Sequence, residues 1–505
     1  MSKLSPTLLT PYGYSSGTCG YCSPSGQRSK GKTSSKYGMV TEQMTPQFYQ
    51  ILVDRGWRRS GDYLYHPDMA RTCCPQYTIR LNTTLFKGNK KLRQVTNRFN
   101  RFLQTSKKPG ESSSPPKLSE SKNQFAGTGK EEQKGAQSVN DIGKGKGNGK
   151  AKGKASVPQQ RDLIDDLHTF EIGYTSNEDE LSHRFETQLV PARATKESFE
   201  LYKAYQISVH KDEPDKVTMK GFDRFLCGST LIETPIKYTK DVQDEIKNGR
   251  LPKHYGQYHL LYNVDSNLIG ISVIDILPCC VSSVYFIWHP DWAWASLGKL
   301  SALYEISLSR RIKHAGVEEM NWVYMGYWIP DCQKMKYKSD YEPSELLDAG
   351  TNKFHLLDDK LESFLISHPT GYYPFSRIIK SMSVSPDPPS SSTTARKPEL
   401  EQSEETASAS DSEEEEAPSS WPNPSPPGFL NPDDIEDDTL EDVLILMGRN
   451  KFTGKGGKLV PISMLEFGNQ RAMYNEIKQF VAAVGEDHMA TSENGIEGKA
   501  VLYFG

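Results

Sequence analysis

The clearest pattern of apolar and polar positions lies between residues 161 and 383. In KESFELYKAYQISVHKD the apolar side chains recur at helical spacing, which predicts an amphipathic helix. In HLLYNVDSNLIGISVIDIL two apolar runs flank a polar turn at 265–267, and VSSVYFIWHP follows as another apolar run. These runs predict a β-hairpin and a further strand.

A second helix and a returning strand complete this region. ASLGKLSALYEISLSRRIKHAG has one apolar face, with Ser296 placed to cap its start and Gly316 to end it. MNWVYMGYWI then predicts a strand. Because strands and helices alternate, we expect an α+β domain with a central mixed sheet flanked by helices.

The flanking regions divide the rest of the chain. Residues 1–105 carry one helix, in TPQFYQILVDRGW, and a half-buried strand after Cys74, so we expect a small N-terminal domain. The composition of 106–160, rich in Lys, Gly and Ser, and of 384–435, rich in Pro and acidic residues, predicts disordered linkers. Residues 436–505 contain a helix and a strand, KAVLYFG, that we expect to complete the core domain 161–383.

Composition supports a soluble chain. The 505 residues are 36% hydrophobic and 25% charged, with a net charge of −3. No secretory signal opens the sequence. The apolar run Leu268–Trp288 is long enough to test as a membrane span, but Asp275 and Pro278 interrupt it, so we expect two buried strands and no membrane partner. The lysines of 106–160 could hold an anionic polymer or serve as a solvated tether.

Four cysteines predict a metal site. Cys19 and Cys22 form a C-x-x-C pair, and Cys73 and Cys74 are adjacent. Adjacent cysteines form a disulfide only with severe strain, so shared ligation of a metal is favoured over buried free thiols. Zinc and an iron–sulfur cluster both suit four thiolates, and contiguous cysteines favour the cluster.

Two further segments could carry chemistry. The start of the second helix, at Ser296 to Gly298, presents backbone amides that could bind an acyl oxygen or a phosphate. In YMGYWIPDCQKMKYKSDYEP, Lys336 and Lys338 flank Tyr337 and could meet a carboxylate or phosphate, the alternative being an ordinary basic strand edge. His210 and His259 stand alone, as core or edge histidines usually do.

Together these segments resemble the arginyl-tRNA–protein transferase family. The similar motifs, in family order, are YGYSSGTCGYC, CCPQYTIRL, YKAYQISVHKD, GISVIDILPCCVSSVYFIWHPD, SLGKLSALYEI and YMGYWIPDCQKMKYKSDYEPSELL. The resemblance implies a GNAT-like catalytic domain and an iron–sulfur cluster, of the 4Fe–4S type, on Cys19, Cys22, Cys73 and Cys74, with zinc as the alternative. The glycine loop that binds acyl-CoA in acetyltransferases is absent, so no CoA is expected.

The activity implied is transfer of arginine from arginyl-tRNA to the α-amine of proteins that begin with Asp, Glu or oxidised Cys, which marks them for ubiquitin-dependent degradation. The expected catalytic residues are His259, Tyr337, Ser296 and Gly298. The acidic acceptor would meet Lys336, Lys338, Arg193 and His210, and the donor arginine would meet Asp331, Asp275 and Glu305. The tRNA would meet Arg58, Arg59, Arg80, Arg310 and Arg311.

The resemblance places the enzyme in the cytoplasm, with the nucleus as a second location, and adds the ubiquitin-ligase machinery as a further partner. Two alternatives stay open. One is a noncatalytic RNA-binding protein with a four-cysteine metal site, and the other is a CoA-dependent N-acetyltransferase. Transfer of arginine and binding of acetyl-CoA separate these three hypotheses.

Overall fold

The structure is a computed structural model that describes residues 6–22, 28–110, 162–175, 181–383, 420–449, 456–465 and 471–504. Its strands β1 to β16 are Thr7–Thr18, Lys32–Gln43, Arg58–Ser60, Tyr63–Pro67, Tyr77–Asn82, Phe185–Pro191, Thr234–Pro235, His254–Val264, Asn267–Ile276, Cys280–Trp288, Trp322–Trp328, Ser344–Asp348, Lys353–Leu356, Leu444–Arg449, Gly456–Pro461 and Ala500–Tyr503. Its helices α1 to α12 are Pro46–Asp54, Lys90–Thr105, Leu163–Leu167, Lys196–Tyr205, Met219–Phe222, Gln243–Lys247, Leu297–His314, Gln333–Lys336, Asp359–Ser367, Phe375–Ser383, Asp437–Glu441 and Arg471–Val484.

A seven-stranded sheet joins the two ends of the chain in the order β15-β14-β16-β1-β2-β4-β3. The terminal strand β16 pairs in parallel with β1, Thr7 opposite Ala500, and α1 and α12 bury their apolar faces in the same core. The expectation that the C-terminal strand completes the central sheet is therefore wrong. Its alternation fits either sheet, and the apolar surface of β1 supplies the partner.

A nine-stranded sheet forms the second half, in the order β13-β12-β5-β11-β10-β9-β8-β6, with β7 on β8. The predicted hairpin is confirmed: β8 and β9 flank Asp265 and Ser266, whose φ angles of 51° and 64° give the left-handed turn that hairpins favour. The apolar run 268–288 forms β9 and β10, as predicted. Among the described residues, no helix has the length and apolar character to cross a membrane.

Part of the predicted N-terminal domain, residues 77–105, belongs to the nine-stranded half. Strand β5 lies between β12 and β11, and α2 packs Leu92, Val95 and Phe99 into the core of this half. Residues 77–105 thus belong structurally with the central sheet and not with the cysteine-containing sheet.

Most of the two predicted linkers lies outside the described residues, and there the predicted disorder stays a prediction. The prediction is wrong for residues 420–435, where Trp421 and Phe429 pack against the core of the seven-stranded half and Phe429 stacks on Trp57.

Strands β10 and β11 are parallel neighbours that separate part of the way along. They pair from Cys280 opposite Trp322 to Ser282 opposite Tyr324, and no pairing follows. Helix α7 makes the crossover between them. A bulge between Tyr324 and Tyr327 turns β11 away, where Gly326 adopts a φ of +68° that favours glycine. We call the region between the unpaired parts of β10 and β11, beside α7, the cleft.

A buried ion pair joins the two sheets. Arg59 on β3 donates from Nε and Nη2 to Asp275 on β9, at 2.8 and 2.5 Å, and both side chains are almost fully buried. Apolar contacts reinforce the pair, since Leu277, Cys280 and Tyr324 of the nine-stranded half lie in the core of the seven-stranded half. The sheets therefore share one interface.

We expect the substitution Asp275→Ala to lower the free energy of unfolding by about 3–5 kcal/mol, because it leaves the buried Arg59 guanidinium unpaired. Denaturant titration followed by circular dichroism measures the change. The double variant Arg59→Met/Asp275→Leu should recover most of the loss, since it removes both charges. The exposed Lys216→Ala should change stability by less than about 0.5 kcal/mol. A loss below about 1 kcal/mol for Asp275→Ala would show that the pair does not hold the interface.

Candidate functional site

The four predicted metal ligands meet at one point. Cys19 and Cys22 follow β1, while Cys73 and Cys74 precede β5, and their sulfur atoms all lie within 4.8 Å of one another. Cys22 Sγ is 3.4 Å from Cys73 Sγ and 3.9 Å from Cys74 Sγ. The loop that carries the first pair is tied down where the Tyr21 amide donates to Cys19 Sγ at 3.4 Å.

The chemistry of this cluster suits a cation. Burial raises the pKa of the Cys22 thiol to about 12, and burial and the neighbouring thiols also raise that of Cys74. Burial opposes ionisation of Cys73 as well, but hydrogen bonds with Thr33 and the neighbouring thiols outweigh it and lower the pKa of Cys73. One thiolate therefore forms readily while further ionisation is opposed, and a bound metal ion offsets that opposition because it binds the thiolate. The four cysteines could thus hold a metal.

The cleft between β10 and β11 contains a buried acid. Glu305, on α7, is 1% exposed, and its Oε1 accepts a hydrogen bond from Ser283 Oγ at 3.4 Å. Its Oε2 has no hydrogen-bond partner among the described residues. Burial raises the pKa of Glu305 to about 7, against the lowering effects of Ser272, Ser283 and Lys338. A buried carboxylate with an unpaired oxygen can accept a cation.

A basic residue, Lys338, lies close enough to Glu305 for its charge to lower the pKa of that acid. Lys338 lies in a helical turn, Tyr337–Asp340, so the alternative of a basic strand edge is wrong. Its Nζ donates a hydrogen bond to Tyr327 O at 2.7 Å. Burial, aided by the charge of Arg58, lowers the pKa of Lys338 to about 7, although its side chain is only half-buried.

Tyr337 is adjacent to both charges. Burial, and then the charge of Glu305, raise its pKa to about 12, so the hydroxyl keeps its proton at neutral pH. Lys299 Nζ lies 5.9 Å from the centre of the Tyr337 ring. Lys336, one residue earlier, is half-exposed at the end of α8. The structure thus brings Glu305, Tyr337 and Lys338 together.

The start of α7 differs from the prediction. Ser296 has a φ of 55° and its hydroxyl does not cap the helix. Instead, Ser296 Oγ accepts a hydrogen bond from Arg98 of α2 at 2.7 Å. Gly298 lies in the first turn, half-buried beside Phe286. The first turn of α7 still contacts the candidate site, because Lys299 lies beside the Tyr337 ring.

Several predicted site residues lie elsewhere. His259 is 2% exposed on β8, and its Nε2 lies 3.0 Å from Leu226 O, so the predicted catalytic role is corrected to a core role. Burial also lowers its pKa, which keeps the ring neutral. Asp275 is occupied by Arg59 and cannot receive a donor arginine. Arg193 and Asp331 are exposed, and His210 Nε2 lies 3.1 Å from Tyr285 Oη.

The five predicted tRNA-binding arginines mainly brace the fold. Arg58 and Arg59 are buried, so their predicted contact with RNA is corrected. Arg58 donates to Gly326 O at 3.2 Å, which supports the bulge of β11. Arg80 lies 3.7 Å from the Trp322 ring and 3.6 Å from the Phe354 ring.

The last two of these arginines are half-exposed and hold neighbouring segments. Arg310 pairs with Asp162 at 2.9 Å, and Arg311 donates to Tyr174 Oη at 2.8 Å. Sequence reasoning assigned arginines to RNA by charge alone and overlooked helix α2, whose eight neighbouring basic residues are visible in the printed sequence between 87 and 108.

Family models match the chain in two places. The model described as "Arginine-tRNA-protein transferase, N terminus" matches residues 17–94, which include the four cysteines. The model described as "Arginine-tRNA-protein transferase, C terminus" matches residues 197–348, which include Glu305, Tyr337 and Lys338. The matches and the site define an enzyme of the aminoacyl-tRNA–protein transferase class.

Relatives from several organisms show which family within this class the chain belongs to. The chain is 30% identical to arginyl-tRNA–protein transferase 1 of Drosophila melanogaster over 439 residues, which cover 72% of this chain and 85% of that protein. It is 29% identical to arginyl-tRNA–protein transferase 2 of Arabidopsis thaliana over 456 residues, which cover 68% of this chain and 73% of that protein. A segment of 97 residues, 19% of this chain and 38% of the relative, is 36% identical to an aspartate/glutamate leucyltransferase of Campylobacter jejuni. The chain belongs to the arginyl-tRNA–protein transferase family.

We expect the protein to bind metal through all four sulfurs, so that Cys22→Ser and Cys73→Ser each lose most of the bound metal. Metal content by mass spectrometry, on protein purified without oxygen, measures the loss. Cys279→Ser, which changes a half-buried cysteine outside the cluster, is the matched control and should keep its metal. Equal metal content in all three variants would place the metal elsewhere.

Proposed function

We propose that the protein transfers arginine from arginyl-tRNA to the N-terminal α-amine of proteins that begin with Asp, Glu or oxidised Cys. One observation carries the proposal: a buried carboxylate with an unpaired oxygen, Glu305, shares the cleft with a basic group, Lys338. A donor with a guanidinium and an acceptor with a carboxylate need these opposite charges. The names of the relatives support arginyl-tRNA as the donor and, through the aspartate/glutamate leucyltransferase, Asp and Glu as acceptors.

The donor arginine would bind Glu305 through its guanidinium. A guanidinium presents two parallel N–H donors, which suit a carboxylate that keeps a free oxygen. Of the three predicted donor-binding acids, Glu305 alone is both buried and unpaired, since Asp275 binds Arg59 and Asp331 is exposed. This site would select arginine over uncharged amino acids.

The acceptor would bind through its acidic first side chain, which would pair with Lys338, with Lys336 as a second contact. The α-amine then attacks the ester carbonyl carbon, a C–N bond forms, and the bond from that carbon to the ribose oxygen breaks. The amine has a pKa near 8 and is partly neutral at cell pH. The site must therefore mainly hold the two substrates in line.

The proton and the developing oxyanion need partners as well. The ribose oxygen that leaves must gain a proton, and the attacking amine must lose one. Tyr337, whose hydroxyl stays protonated, can donate a hydrogen bond to an oxyanion or to the leaving oxygen. The first turn of α7, at Ser296 to Gly298, adds the partial positive charge of a helix start.

We further propose that the nine-stranded half is GNAT-like. Support comes from the antiparallel strands β8, β9 and β10, followed by the parallel pair β10 and β11 that separates beside the crossover helix α7. The cleft at that separation would take the aminoacyl end of the donor. The absent glycine loop makes acetyl-CoA the less favoured donor.

The identity of the metal is a separate proposal. The resemblance favours an iron–sulfur cluster, in which the thiolates bind different iron atoms. The three sulfur separations among Cys22, Cys73 and Cys74, at 3.4–3.9 Å, instead support zinc, because four thiolates about 2.3 Å from one tetrahedral ion lie about 3.8 Å apart. Visible absorption and zinc content of the anaerobic protein distinguish these two metals.

Degradation through ubiquitin, in the cytoplasm and the nucleus, would follow from arginylation by the same resemblance.

We expect labelled arginine to pass from arginyl-tRNA to a peptide that begins with Asp and not to a matched peptide that begins with Ala. The reason is that only the first peptide can pair with Lys338. Scintillation counting of the recovered peptides measures the transfer. Binding of tRNA without transfer to either peptide would favour the RNA-binding alternative, and labelling from acetyl-CoA would favour the acetyltransferase.

We expect Glu305→Gln to lower kcat/KM for arginyl-tRNA about 100-fold, because a neutral amide replaces a buried charge partner. In the native protein kcat/KM should rise with pH through about 7, since Glu305 must be ionised to bind the guanidinium, and should fall above it as Lys338 loses its proton. In Glu305→Gln, the rise of kcat/KM on the acid side of the profile, the acid limb, should lose the part that ionisation of Glu305 causes. Glu318→Gln, an exposed control, should match the native profile. An unchanged acid limb in Glu305→Gln would contradict this role.

A further inference from the structure

Helix α2 and its flanks carry a dense basic charge. Between residues 87 and 108 there are eight Lys or Arg residues and no Asp or Glu. These residues are Lys87, Lys90, Lys91, Arg93, Arg98, Arg101, Lys107 and Lys108. Such a cluster of basic residues without acidic ones, on a helix and its flanks, is typical of a surface that binds a polyanion.

The charge is concentrated on the solvent side. Lys90, Gln94, Asn97 and Arg101 are exposed and follow the spacing of one helical face, while the opposite face packs into the core. All four side chains carry N–H groups that can donate hydrogen bonds. Among the described residues, no acidic side chain lies within ion-pair distance of Lys90 or Arg101. From Lys90 to Arg101 the face spans about 16 Å, at about 1.5 Å for each residue along the helix.

The remaining basic residues tie α2 to the candidate active site. Arg98 donates to Ser296 Oγ at the start of α7. Lys91 and Lys299 both pair with Asp340, at 2.9 and 3.0 Å, and Lys299 lies beside Tyr337. The basic face therefore runs along the side of the cleft, outside the residues that would hold the arginyl ester.

We propose that the exposed face of α2 binds the acceptor stem of the donor tRNA and leads its 3′ end into the cleft. The inference rests on the proposed function. Lys90 and Arg101 would contact phosphates. Gln94 and Asn97 would reach the 2′-hydroxyls that line the shallow minor groove of an RNA helix. An acidic peptide needs only one cation, which Lys338 would supply. A basic face of this length instead suits a polyanion.

The first test measures RNA binding by the full chain. Lys90→Ala/Arg101→Ala should weaken binding of uncharged tRNA about 10-fold at low salt and reduce the slope of log affinity against log salt by about 2, one unit for each lost phosphate contact. Lys353→Ala/Lys458→Ala removes two exposed lysines from the outer strands β13 and β15 and should match the native protein. Fluorescence anisotropy measures both quantities, and thermal unfolding checks that all variants are folded.

The second test separates the docking face from the chemistry. Arginine esterified to the trinucleotide CCA lacks the stem, so the native protein and Lys90→Ala/Arg101→Ala should transfer it to the Asp peptide at equal rates. With full arginyl-tRNA the variant should show a raised KM and an unchanged kcat. Equal salt slopes in both double variants, or equal losses with both donors, would overturn the inference. Failure of the native protein with both donors would instead overturn the proposed function. Normal tRNA binding with weakened peptide binding would assign the face to acidic proteins and also overturn it.

Discussion

The ion pair between Arg59 and Asp275 is the constraint on which the rest of the structure depends. It is almost fully buried, and it fixes the edge strand of one sheet against the middle of the other. The neighbouring Arg58 then reaches Gly326 at the bulge of β11. The next carbonyl, of Tyr327, holds the amino group of Lys338. One end of the candidate active site is therefore positioned by the half of the protein that carries the cysteines.

The cleft combines two opposite charges that burial makes costly. Glu305 and Lys338 each have a pKa moved toward neutrality, because neither is fully solvated. A guanidinium on the first and a carboxylate on the second would stabilise both charged forms. Such a site would gain most from substrates that bring both charges, which is the chemical difference between arginine as donor and an acidic residue as acceptor. Selectivity in this account comes from desolvation and charge, and a strong catalytic base is not required.

Local sequence patterns predicted the helices and hairpins but not the long-range pairing. The turn at 265–267 and helix α7 follow from short-range signals, and they were predicted correctly. Strands β5 and β16 were assigned to the wrong sheets, because alternation gives the buried face of a strand and not its partner.

Side-chain roles were harder to predict than elements. Arg58 and Arg59 carry the same charge as a phosphate-binding arginine, and only the three-dimensional contacts reveal that they are internal. The sequence correctly predicted that the four cysteines lie together, since their spacing is typical of metal ligands. Glu305 could be distinguished from the other candidate acids only by its unpaired oxygen, which the sequence does not reveal.

The most direct measurement is an experimental structure of the protein with a stable donor analogue, in which an amide replaces the ester between arginine and the tRNA 3′ end. The account predicts that the guanidinium lies within about 3 Å of Glu305 Oε2, with the amide carbonyl near Tyr337. A guanidinium bound at Asp331 or in solvent, with Glu305 still unpaired, would contradict it.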